Sequence, residues 1–111
     1  MTTIIFDTDP NTYRASLIVD GHANFDEFGK DIVCASVTIL TYTIAKIAND
    51  MLEWGKLTDN SIIKLNDGEA FINCHCVGEA NYKELIDAFR VVLMGYHLIA
   101  EEYPQNVVVQ A

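Results

Sequence analysis

Basic side chains are scarce in this 111-residue chain. Seven Lys and Arg stand against sixteen Asp and Glu, a net charge of -9. A phosphate-binding surface needs the opposite sign, so neither nucleic acid nor an anionic membrane surface is an expected partner. Long hydrophobic runs are also missing. The longest uncharged stretch, Ile32 to Ala45, falls short of the roughly 20 residues that a membrane helix needs. The opening residues, Met1 to Asp7, carry neither a basic region nor a cleavage site, so no signal peptide is expected. Cysteine is sparse: Cys34, Cys74 and Cys76 are an odd set with no disulfide framework, which points to a reducing, cytoplasmic setting. Proline appears only at Pro10 and Pro104, both at expected boundaries, and there is no repeat, low-complexity stretch or linker. What remains is 50% apolar and 21% charged, the composition of one folded domain over residues 1–111 with a core of its own.

Hydrophobic periodicity gives the elements. Thr3 to Asp7 and Tyr13 to Asp20 read as a hairpin of two strands around the turn residues Asp7 to Asn11. Asp31 is a good N-cap for a long helix running to about Trp54, and Gly55 is a good stop. Val33, Val37, Leu40, Ile44, Ile47 and Met51 recur on it at helical spacing. Ser61 to Asn66 and Glu69 to Val77 are two further strands, joined by the hairpin signal Asn66-Asp67-Gly68. Asn81 to Tyr103 is a second helix with Leu85, Phe89, Val92, Tyr96 and Ile99 on one stripe. Val107 to Val109 is a last strand. The order ββαββαβ predicts an α+β fold: a five-stranded mixed sheet with two helices packed on one face.

Two groups of residues carry possible chemistry. His22 lies in a glycine-bracketed segment after a strand, and Cys34 lies in the first turn of the helix that Asp31 opens. Unpaired N–H groups and partial positive charge at a helix start favour a thiolate, the reactive form of cysteine. A thiol with a mobile imidazole is the minimum kit for nucleophilic catalysis. The bland alternative makes Cys34 a small core residue and His22 a loop residue. Cys74-His75-Cys76 resembles a metal fragment, but on a strand the two thiols share one face and His75 takes the other. Three consecutive residues do not close a tetrahedral site, so the reading is two core cysteines and no metal. His97, among apolar neighbours, reads as a satisfied or interfacial histidine.

The segment Gly21-His22-Ala23, Gly29 and Asp31-Ile32-Val33-Cys34-Ala35 resembles the signature of Prp, the bacterial ribosomal-processing cysteine protease family (YsxB-like). Length, element order and the closing Glu102-Tyr103-Pro104 with its valines extend the resemblance over the chain. Thr38 stands where the family commonly has Ser, and the hydroxyl is retained. The resemblance implies a homodimeric cysteine endopeptidase without cofactor. Its substrate would be a basic precursor, large-subunit ribosomal protein twenty-seven, whose N-terminal extension is removed before ribosome assembly. Cleavage would follow an aromatic residue in a short hydrophobic motif, ahead of a small residue and a basic stretch. The family dyad falls on His22 and Cys34, with Asp31 in support.

The expected substrate-binding residues are Gly21, Ala23, Phe25, Phe28, Gly29 and Thr38. Gly21 and Gly29 are expected to act as hinges of a lid whose two phenylalanines cover apolar residues of the peptide. Backbone N–H groups near Cys34 and in the loop are expected to hold the oxyanion. Two other functions share these residues: another thiol acyl-transfer enzyme, such as a thioesterase or deamidase, and a non-catalytic module that binds a basic ribosomal protein.

Overall fold

β-Branched and aromatic residues are concentrated in the first twenty positions, as in the run Thr2 to Phe6, and two antiparallel strands result: β1 (Thr2–Asp9) and β2 (Arg14–Asp20). A computed structural model of the chain describes residues 1–27 and 30–111. It continues with α1 (Ile32–Glu53), β3 (Ile62–Asn66), β4 (Glu69–His75), α2 (Gly78–Glu102) and β5 (Val107–Gln110). The strands form one five-stranded sheet in the order β3-β4-β2-β1-β5. Only β1 and β5 pair in parallel, with α2 carrying the chain from β4 across the sheet to β5, and the other pairs are antiparallel. The α+β class, the mixed sheet and the element order are those expected from the sequence.

Strand alternation decides which face the helices cover. Ile4, Leu17 and Ile72 are fully buried on one face, whereas their neighbours Ile18 and Phe71 are partly open on the other. On α1 the buried residues Val33, Val37, Ile44, Ala48 and Met51 form the inward stripe, and on α2 Leu85, Phe89, Val92 and Tyr96 do so. Phe89 lies 4.8 Å from the ring centroid of Phe6 on β1. The helices approach closely at Gly95, where a Cβ would lie 2.8 Å from the Leu40 side chain. Cys74 and Cys76 belong to this core, as strand alternation requires, and His97 is exposed.

At 22 residues and a mean hydropathy of 1.5 over its most apolar window, α1 is long and apolar enough to cross a bilayer. The count of uncharged runs had not revealed this. Its inward stripe packs against the sheet and α2, the place of a core helix.

Three boundaries differ from expectation by two residues or more. β1 runs on to Asp9, because Asp7 and Asp9 keep pairing with Ser16 and Arg14, and Arg14 donates to Asp7 at 3.0 Å. The turn is therefore Pro10 to Tyr13. β4 stops at His75, after which Cys76 makes only an isolated bridge to Leu57. α2 begins at Gly78, not Asn81. Glu79 suits the positive end of the helix in its first turn, and the Asn81 side chain donates to the Val77 carbonyl at 2.7 Å.

One polar bond joins the two helices inside the core. The Thr41 hydroxyl donates to the Val37 carbonyl at 2.8 Å, so the Tyr96 hydroxyl, 2.6 Å away, donates to Thr41. Tyr96→Phe is expected to cost about 1 kcal/mol of stability, one net hydrogen bond. Thr41→Val leaves the buried Tyr96 hydroxyl without an acceptor and is expected to cost more, about 1–3 kcal/mol. Denaturant unfolding of the two variants checks the order.

Candidate active site

The site grows from the start of α1. Asp31 caps the helix: its Oδ1 accepts the Cys34 N–H at 2.9 Å. Its Oδ2 accepts the Phe25 N–H at 2.8 Å and the Asp26 N–H at 3.3 Å. One carboxylate thus ties the segment after β2 to the first turn of the helix. Desolvation pushes the Asp31 carboxyl up, but N–H donation from Cys34, Phe25, Asp26 and Val33 together outweighs it and holds the group below its ordinary value. With both oxygens engaged by backbone, Asp31 acts as cap and loop anchor.

These bonds also alter the expected oxyanion site. The Cys34 N–H is taken by the Asp31 side chain, and the Ala35 N–H by the Asp31 carbonyl at 3.0 Å. The amides of Phe25 and Asp26 are likewise occupied. An oxyanion beside Cys34 must draw on other donors.

Cys34 is half-buried and His22 exposed, and both line one open cavity of about 670 Å³. Both also border a smaller depression of about 110 Å³ toward the β3–β4 turn. No hydrogen bond joins the two side chains among the described residues. Apo catalytic pairs are often looser than the working complex. Thr38, one turn beyond Cys34, lines both cavities and donates to the Cys34 carbonyl at 2.8 Å. The larger cavity follows α1 for two turns, from Cys34 past Ile39 to Tyr42, about 12 Å of helix.

The substrate-binding expectations divide. Gly21 borders the smaller depression but is a packed turn, not a free hinge. Its φ is +93°, and a Cβ there would collide with the Met1 carbonyl oxygen. Its N–H donates to the Gly68 carbonyl at 2.8 Å, and its own carbonyl accepts from Thr2 at 3.3 Å. Ala23, expected along the peptide, is instead 1% exposed in the core. Its carbonyl is held by the Asn106 side chain at 2.9 Å, which turns Asn24 toward the cavity. Phe25, expected over the substrate, packs edge-on against Tyr103 at 5.0 Å, outside the cavity lining. Asp31 holds its backbone amide at 2.8 Å. Phe28 and Gly29 lie outside the described residues.

Five cavity residues were not singled out from the sequence, Asn24 among them. Ala35, Ile39 and Tyr42 follow Cys34 on one side of α1, a helical spacing that a wheel drawn from Cys34 would have exposed. Asp67 comes from the β3–β4 turn, far away in sequence, and no local signal places it there. Asp26, Asp31 and Asp67 line the larger cavity with no Lys or Arg among the lining residues, so the field in the cleft is negative.

The family model for cysteine protease Prp matches residues 1–108. The chain belongs to the Prp family of cysteine proteases. It is therefore a peptide hydrolase. The ribosomal processing cysteine protease Prp of Mycoplasma genitalium is 31% identical over 102 residues, covering 89% of this chain and 90% of that one. The ribosomal processing protease Prp of S. aureus with a covalently linked product peptide has the same fold. It is 23% identical, with a TM-score of 0.72 over 99% of this chain and 98% of that one. The same S. aureus protease with a substrate peptide is 22% identical, with a TM-score of 0.67 over 99% and 98%.

For a Prp protease the three thiols are very unequal. Burial pushes Cys74 up to about 12, with the nearby Cys76 adding to it, and burial chiefly pushes Cys76 up to about 11. Both stay protonated at neutral pH, so they are inert filler, whereas Cys34 opens on the cavity.

The depressed Asp31 carboxyl sets an acid limit for the loop anchor. A folded value below the unfolded one means the tie is fully present above the unfolded value, near 4, and is lost as pH falls through the folded value. Hydrogen exchange, corrected for intrinsic rates, should show the Phe25, Asp26 and Cys34 amides losing protection together in that acid range. Asp31→Ala should remove the protection at every pH and cost about 1 kcal/mol of stability.

Proposed function

We propose that this Prp-family enzyme is a ribosomal-protein-processing endopeptidase that works through a Cys34–His22 dyad. Its substrate is the precursor of large-subunit ribosomal protein twenty-seven, whose N-terminal extension it removes before ribosome assembly. The observation that carries the reading is the meeting of Cys34 and His22 in one cavity at the capped start of α1. The ribosomal processing named for the Mycoplasma genitalium relative supports the substrate class. So does the acidic cleft, because a ribosomal protein is basic where it meets RNA.

Chemically, His22 takes the Cys34 proton and the Cys34 Sγ attacks the scissile carbonyl carbon. The C–N bond then breaks, His22 protonates the leaving amine, and an acyl-enzyme thioester remains. Water, activated by the same imidazole, hydrolyses the thioester and frees the thiol. No metal or organic cofactor enters these steps. Ile39 and Tyr42 offer apolar surface to the hydrophobic part of the extension, and Asp26 and Asp67 face its basic part. The enzyme works in the cytoplasm, where precursor and reduced thiol coexist.

It works as a homodimer. Val91, Met94 and Leu98 are 73%, 62% and 59% exposed along one line of α2, an apolar stripe at helical spacing that a twofold partner would cover.

Cys34→Ala and Cys34→Ser should fold normally and leave the precursor uncut. His22→Ala should cut about 10²–10⁴-fold more slowly. Mass spectrometry of the precursor after incubation reads the result, and a folded Cys34→Ala enzyme cutting at the wild-type rate would sink the dyad. Light scattering should give twice the 12.4 kDa chain mass for the wild type. Leu98→Asp combined with Met94→Asp should give the single mass.

A further inference from the structure

The structure assigns Gly68, in the β3–β4 turn, the task of positioning the imidazole of His22. The inference rests on reading His22 as the general base. Two observations place the turn against that residue. The Gly68 carbonyl accepts the N–H of Gly21, the residue just before His22, at 2.8 Å. A Cβ on Gly68 would lie 2.7 Å from His22 Nε2 and 3.1 Å from Cε1, well inside ordinary contact distance. The turn therefore holds the backbone that leads into His22 and leaves free the space its ring borders. Glycine at 68 does more than make a turn: a methyl group there would press on the nitrogen that exchanges protons with Cys34 or on its ring partner.

Two other glycines separate this contact from backbone strain. Gly55, Gly68 and Gly78 have φ of +74°, +77° and +81°, the left-handed region that favours glycine in all three. A Cβ on Gly55 or Gly78 would meet nothing within 4 Å. Alanine at 55 or 78 thus adds the conformational penalty alone, and alanine at 68 adds the same penalty plus the clash with the ring. The clash falls on the outer end of a flexible, exposed side chain, so the ring gives way more easily than the fold does. The damage is expected in the chemistry and not in stability.

The experiment compares Gly68→Ala, Gly55→Ala, Gly78→Ala and His22→Ala in the full chain. The readouts are thermal unfolding, kcat and KM on the precursor's cleavage-site peptide, and the pH dependence of Cys34 alkylation by iodoacetamide. Gly68→Ala should lose no more thermal stability than the other two glycine variants. Its kcat should fall about 10–100-fold, the penalty of a displaced catalytic group, with KM little changed. Its alkylation profile should move toward that of His22→Ala, while Gly55→Ala and Gly78→Ala keep the wild-type profile. Wild-type kcat and profile in Gly68→Ala, alongside an inactive His22→Ala, would overturn the inference and leave the dyad standing. A fully active His22→Ala removes the dyad and the inference with it. If Gly68→Ala does not fold, the double variant with His22→Ala decides. Folding recovered by deleting the imidazole supports the contact, and a double variant that is equally unfolded overturns it.

Discussion

The carboxylate of Asp31 is the constraint on which the site depends. Its two oxygens serve two different pieces of chain, the first turn of α1 and the segment after β2. The helix start fixes where Cys34 sits, and the same carboxylate anchors the chain at Phe25 and Asp26, three and four residues past His22, while the Gly21–Gly68 bond holds the backbone that enters His22. The division of labour has a cost for the chemistry. The amides that a helix start would offer to an oxyanion are already donated to the carboxylate or to the Asp31 carbonyl. The same residue that builds the site therefore restricts which donors can stabilise the transition state.

Sheet register supplies the other wall. β2 and β4 pair antiparallel with Asp20 opposite Glu69, so the end of β2 arrives beside the turn that precedes β4. That pairing brings Asp67 to the cavity and Gly68 to the imidazole. A slip of one residue would carry each side chain to the wrong face and separate turn from loop. The stability of the central strands and the geometry of the site thus share one set of backbone bonds, while Thr41 and Tyr96 hold the two helices in step beneath it.

The acidic composition has a local expression as well as a global one. Three aspartates border the cleft, and their field favours cationic stretches of a peptide near the thiol. Asp31 keeps its charge while backbone N–H groups hold it in place, and Asp26 and Asp67 stand with it along the same cleft. Thiol chemistry is confined in a complementary way. Burial keeps Cys74 and Cys76 protonated and packed, whereas Cys34 opens on the cavity.

The element order, both helices and the mixed sheet were legible in the sequence, because alternation and helical spacing follow directly from which faces are buried. The cap at Asp31 was legible too, since capping is a local preference of a few neighbouring residues. The Gly-His-Ala and Asp-Ile-Val-Cys-Ala segments carried the family. Local signals failed where distance along the chain is large. Ala23 turned inward because Asn106, 83 residues later, holds its carbonyl. Phe25 packs against Tyr103 and Gly21 turns tightly against Met1, contacts that no local pattern announces. Asp67 and Gly68 read as hairpin residues and nothing more until the β2–β4 register placed them at His22. Residue spacing determines faces and ends of elements; only the tertiary structure decides which ends meet, because those contacts are made by strand register and long-range packing that no local pattern encodes.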